Sequence, residues 1–164
     1  SIGSVNASEL QRFSLQPQDV VITKDSETPD DIAVPSILFE KIENLICGYH
    51  LCILRSKDLS KLNGEFILLQ LQLHEINKQF ANRANGSTRY GLTIDAIEEC
   101  YLKIPNDINE QIEIAKRLRS IDNKLQTEQT YLQKQQLIKK GLMEDLLTGK
   151  VKVSEPLITT DSSD

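Results

Sequence analysis

The sequence predicts an α+β protein, in which a small mixed α/β domain is followed by one long α-helix. Three observations predict it. Residues 104–150 carry helix signals at both ends. Apolar residues inside that run recur on a 4-3 alternation. Upstream, short β-branched runs and helix-like stretches are divided by Gly, Pro and Asp clusters. The divisions are 1–103 for the mixed domain, which opens without a clear start, 104–149 for the helix and 150–164 for a polar tail.

The long helix is bounded by its caps. Asp107 followed by Glu110 fits a capping box, in which an acidic N-cap takes an orphan N–H and a Glu reaches back. Pro105 sits just outside, where it can stop a preceding strand without breaking the helix. Gly149 follows Leu146 and Leu147, as a left-handed cap requires. At 1.5 Å per residue such a helix spans roughly 60 Å. Ile114, Leu118, Ile121, Leu125, Leu132, Leu142 and Leu146 form the seam, interrupted by Glu128, Gln135 and Lys139. A stripe of this kind needs a partner helix. Gly141 costs about 1 kcal/mol against Ala and predicts a kink or break.

Residues 104–125 (IPNDINEQIEIAKRLRSIDNKL) and 139–153 (KKGLMEDLLTGKVKV) resemble the C-terminal conserved region of type I restriction–modification specificity subunits. There an IP…EQ…IA…L…ID segment opens a long helix that closes on KKGLM-DLLTGK. Residues 86–105 (GSTRYGLTIDAIEECYLKIP) resemble the lead-in to that helix. Residues 19–32 (DVVITKDSETPDDI) resemble the family's first strand and loop. The resemblance covers most of the chain, with several motifs in order.

Taken in order, 19–23 (DVVIT) reads as a buried strand and KDSETPDD as a polar loop. Asp25, Glu27, Asp30 and Asp31 do not match EF-hand spacing and lack its central Gly, so a solvated loop is the expectation and no metal is predicted. Residues 32–55 read as two or three short strands, with Gly48 at a bulge or tight approach. Asn63–Gly64 reads as a turn. Residues 65–79 fit a helix or an alternating strand, and the resemblance implies the helix. Residues 81–91 form a polar loop, 93–100 a short helix capped by Thr93, and 100–105 (CYLKIP) a strand.

The chain has 164 residues, enough for one modest core plus the rod. No apolar run reaches the roughly 18 residues of a membrane span, and no signal-peptide pattern opens it. Cys47, Cys52 and Cys100 are an odd count without a Cys-x-x-Cys pair. They read as small buried apolar residues in a reducing cytoplasm.

The net charge of −5 argues against a simple basic DNA binder. Its distribution is uneven. Residues 76–92 carry Lys78, Arg83 and Arg89 and no acid. Local positive potential is what phosphate affinity needs. Lys78, Arg83 and Arg89 are therefore candidate DNA contacts, with Asn85, Ser87, Thr88 and Tyr90 able to reach phosphate or base edges. Lys24 and Ser26 of the acidic loop are further candidates. A turn that packs the domain onto the rod is the competing reading of 86–89.

Catalytic patterns are absent. His50 lies in an apolar strand and His74 on a Leu-rich helix, so each reads as a core or surface histidine rather than a base. No nucleophile elbow, zinc-protease motif, P-loop, dinucleotide Gly pattern or methyltransferase signature occurs.

The resemblance implies a non-catalytic DNA-specificity subunit. Such a subunit reads double-stranded DNA with two target-recognition domains, one per half of a bipartite site. Two long helices pack antiparallel to space them and dock methyltransferase subunits, through which restriction subunits join. S-adenosylmethionine, ATP and Mg are then expected only on the partners. This chain matches one recognition domain and one helix, so a fragment, a truncated product or a half-subunit that pairs through the rod is expected. A coiled-coil adaptor without DNA binding is the alternative, and an enzyme in its own right is a third reading.

Overall fold

The structure is a computed structural model. It describes residue 8, residues 12–28 and residues 31–153. The tail beyond 153, the opening residues and Asp30 of the acidic loop lie outside the described residues. The chain divides into two compact units, Ser1–Leu118 and Arg119–Asp164. The division falls inside the long helix.

The first unit is built on a three-stranded antiparallel sheet of order β3-β1-β4. Its members are β1 (Val20–Thr23), β3 (Pro35–Ile37) and β4 (Leu51–Leu54). β1 is the predicted strand, and its β-branched residues suit a central position. Val20 faces Ile37 on one side and Leu54 on the other. Val20 and Ile22 enter the core beside Ile32, Phe66, Leu71, Phe80 and Ile97.

Just before β1, Asp19 is buried. Its two carboxylate oxygens receive Arg55 Nε at 2.8 Å and Nη2 at 2.6 Å, and the Gln16 N–H donates to it at 2.7 Å. Arg55 also donates to the Ser14 carbonyl at 2.8 Å. A buried carboxylate is tolerable only when paired and bonded in this way. The pairing holds the Arg55 guanidinium above its ordinary pKa, chiefly through that hydrogen bond.

Asn63–Gly64 is not a hairpin turn but the start of α1 (Gly64–Leu71). Asn63 Oδ1 accepts the Phe66 N–H at 2.9 Å, as an N-cap does. A Cβ on Gly64 would strike the Gln18 carbonyl, so glycine is required by close approach. The predicted helix over 65–79 is two helices, α1 and α2 (His74–Ala81). Helical phase explains the break. Continuing from Leu71 by three, four and seven residues would aim His74, Glu75 and Lys78 at the core. Interrupting the helix at Gln72–Leu73 lets Ile76 and Phe80 face it instead.

Thr93 caps α3 (Ile94–Glu98), its Oγ1 accepting from the Ala96 N–H at 3.2 Å. Residues 100–105 form no strand. The Tyr101 N–H donates to Gln79 Oε1 and its carbonyl accepts from Gln79 Nε2, both at 3.0 Å. A side-chain amide thus takes both backbone groups that a neighbouring strand would have used. Gly48 marks neither a bulge nor a close approach, since nothing lies within 4 Å of a Cβ built there.

α4 runs unbroken from Ile108 to Leu147, through Gly141, so the helix does not break there. Asp107 Oδ1 accepts the Asn109 N–H at 2.9 Å. Gly149 takes φ +72, the left-handed cap expected of it. Within the first unit, Gln111 and Ala115 are buried and Ile114 packs against the core. Among the described residues no helix is long and apolar enough to cross a membrane.

Candidate nucleic-acid interface

Three short segments of the first unit meet at one surface. β2 (Asp25–Ser26) pairs antiparallel with β5 (Tyr90–Gly91), placing Asp25 opposite Gly91 and Ser26 opposite Tyr90. The Leu92 N–H donates to the Lys24 carbonyl at 2.7 Å, and the Lys24 N–H donates to the His50 carbonyl at 3.0 Å. Backbone bonds therefore fix segments 24–26, 49–51 and 89–92 relative to one another.

Their side chains form a mixed-charge group. Asp25 Oδ2 lies 2.8 Å from His50 Nδ1, and Asp25 Oδ1 accepts from Arg89 Nη2 at 3.4 Å. Lys24 Nζ sits 4.4 Å from the centre of the Tyr49 ring, whose neighbour is the His50 ring at 5.4 Å, edge to face. Tyr49 is 81% exposed, and the His50 and Arg89 side chains are 60% and 59% exposed. Asp25 is held below the usual carboxylate range, chiefly by the His50 hydrogen bond, which outweighs the opposing desolvation, with smaller help from the charges of His50 and Arg89.

The loop that carries Arg89 is closed tightly. Asn85 and Gly91 exchange two backbone hydrogen bonds, at 3.0 and 2.9 Å. Gly86 takes φ +148, and a Cβ there would meet the Arg89 carbonyl. Ser87, Thr88 and Arg89 are consequently held outward, all exposed.

The structure thus brings Lys24, Ser26, Arg89 and Tyr90 together and sets Asn85, Ser87 and Thr88 in the adjoining loop. It does not bring Lys78 or Arg83 into the Asp25–His50–Arg89 group. Lys78 is exposed on α2. Arg83 is engaged in packing, its Nη1 donating to the Gln79 carbonyl at 3.0 Å and its Nε to Glu99 at 3.4 Å. Sequence reasoning missed Tyr49 and His50 as members. His50 lies not within an apolar strand but in the turn before β4. The available signal was the Gly48-Tyr49-His50 interruption between two apolar runs.

Among the described residues no group of three His, Cys, Asp or Glu is placed to hold an ion. Thr28 Oγ1 donates to Asp31 at 3.2 Å, tying the acidic loop to itself. Cys47, Cys52 and Cys100 are free, and burial pushes each thiol's pKa up, against reactivity.

The profile of the type I restriction modification DNA specificity domain matches residues 10–139. The chain belongs to this family. A solved structure shares the specificity-domain fold, the S subunit of the type I restriction–modification system from M. genitalium. It superposes with a TM-score of 0.61 at 16% identity, over 82% of this chain and 34% of that one. The chain thus spans about a third of the length of that S subunit.

In this specificity domain the seam residues fall into two groups. Ile114 is partly buried against the domain's own core. Leu118, Ile121, Leu125, Leu132, Leu142 and Leu146 are between 41% and 57% exposed. Ile138, Met143 and Leu147 widen the apolar face near the C-terminal end.

Proposed function

We propose that this specificity domain reads one half of a bipartite double-stranded DNA target through the surface formed by segments 24–26, 49–51 and 85–92. The carrying observation is the half-buried Lys24 over the exposed Tyr49 ring with the exposed Arg89 on the same surface, held by backbone pairing on an otherwise acidic chain. Lys24 and Arg89 supply phosphate affinity. Ser26, Asn85, Ser87, Thr88 and Tyr90 border them as hydrogen-bonding groups for base or phosphate edges. Asp25 orients Arg89 and offers an acceptor to cytosine amino groups.

Catalysis belongs to partners in this reading. Methyltransferase subunits supply S-adenosylmethionine chemistry and dock on the long helix, and restriction subunits with ATP and Mg join through them. The exposed stripe from Leu118 to Leu146 supports helix pairing, either with a second copy or with a methyltransferase subunit.

The test is duplex binding against salt. Replacing Lys24 and Arg89 by Ala lowers the slope of log affinity on log salt by about one unit per lost phosphate contact. An unchanged slope in a folded double variant refutes the assignment.

A further inference from the structure

The His50–Asp25 pair has a chemical consequence for that surface. Asp25 is an acceptor and Arg89 only a donor, so His50 Nδ1, lying between them, must carry the hydrogen and donate it to Asp25. The tautomer is thereby fixed, and the other ring nitrogen, Nε2, bears either a lone pair or a second proton. Nε2 has no partner among the described residues, on a ring whose side chain is more than half exposed.

We propose that His50 is a phosphate-contacting residue that binds DNA in its doubly protonated form, so that binding takes up a proton. The inference rests on the DNA-reading surface proposed above. A neutral Nε2 presents a lone pair, which a phosphate oxygen repels. A protonated Nε2 presents a donor and a positive charge. The proton comes from bulk solvent and stays on Nε2 while the complex lasts.

The surroundings are charged. Asp25 accepts from Nδ1 at 2.8 Å. Arg89 lies 3.5 Å from the same nitrogen. The Tyr49 ring meets the imidazole edge to face and carries Lys24 on its face. Counted as formal charges, Lys24, Arg89 and Asp25 give +1, and protonating His50 raises this to +2. A phosphate arriving beside Arg89 adds a negative charge that the imidazolium can meet.

The test uses the full chain and a mixed-sequence duplex at low salt. Affinity should rise by up to about tenfold per pH unit as pH falls from about 8 to about 6. His50→Asn keeps a donor toward Asp25 and should abolish this rise. His74→Gln, which changes the other histidine of the chain, should retain it. Calorimetry of the wild-type chain in buffers of different ionisation enthalpy should show net proton uptake, a readout that needs no variant to fold. Salt-dependent binding without pH dependence or proton uptake overturns the role of His50 and leaves the DNA-reading surface standing. Retention of the full pH dependence by a folded His50→Asn variant also overturns it. Failure to bind duplex at any salt or pH overturns both.

Discussion

Gln111, on the second turn of the long helix, accepts the Asn63 N–H on its Oε1 at 2.9 Å. Its Nε2 donates to the Lys61 carbonyl at 3.0 Å and the Pro105 carbonyl at 2.8 Å. The side chain is fully buried, and each of its polar atoms is satisfied. This one amide ties the start of α4 to the loop that starts α1. Replacing Gln111 by Leu takes the partner from a half-buried N–H and two carbonyls. The expected loss is at least about 2 kcal/mol, read from urea unfolding. Unfolding indistinguishable from wild type would show that water replaces the amide freely.

Asp19 and Arg55 should behave as a partly buried pair. Truncating Asp19 to Ala leaves Arg55 and the Gln16 N–H without their acceptor. Breaking a buried pair costs about 3–5 kcal/mol, and the 38% exposure of the Arg55 side chain places this one toward the lower end. Thermal or chemical unfolding of Asp19→Ala checks the value.

Acid should loosen the surface around Asp25 before the core. The folded-state pKa of Asp25 is depressed, so its contribution to stability is complete above the ordinary carboxylate range and is lost as pH falls through the folded value. The window therefore lies below about pH 4. Protonation releases both His50 and Arg89. Asp25→Asn should remove this share of the acid response, seen as a shallower fall of stability with pH. An acid response identical to wild type would contradict the role given to the Asp25 pairings.

Gly86→Ala probes the loop directly. The substitution puts a methyl against the Arg89 carbonyl at a φ that L-residues avoid. Duplex affinity should fall by about tenfold while the melting temperature moves by only a few degrees. Arg83→Ala should show the converse, a loss of stability with the salt slope of binding retained, because Arg83 ties α2 to Glu99.

The rod carries its own test. Changing Leu125 and Leu132 together to Asp should abolish self-association or methyltransferase binding in sedimentation, with the first unit still folded. Burying one Leu contributes about 1.5–3 kcal/mol, so several aligned positions outweigh modest ordering costs. A wild-type chain that stays monomeric at high concentration and ignores the methyltransferase would defeat pairing through this stripe.

Elements whose signals are local were legible in the string of residues alone. DVVIT forms a strand because its β-branched run suits a pleated, buried position. The long helix begins at Asp107 and ends before Gly149 because caps act within a turn. The family motifs were legible for the same reason, as contiguous strings. Other features depend on residues far apart in the chain. The break at Leu73 follows from which side chains the sheet lets into the core. Tyr101 forms no strand because Gln79, 22 residues earlier, takes its backbone bonds. Arg83 and Arg89 look alike in the string, yet one is spent on Glu99 while the other stands beside Asp25, 64 residues away. His50 joined the surface only because backbone bonds bring the turn before β4 against the β2–β5 pair. Long-range pairing of charged groups has no period and no fixed spacing, so the folded chain alone reveals it.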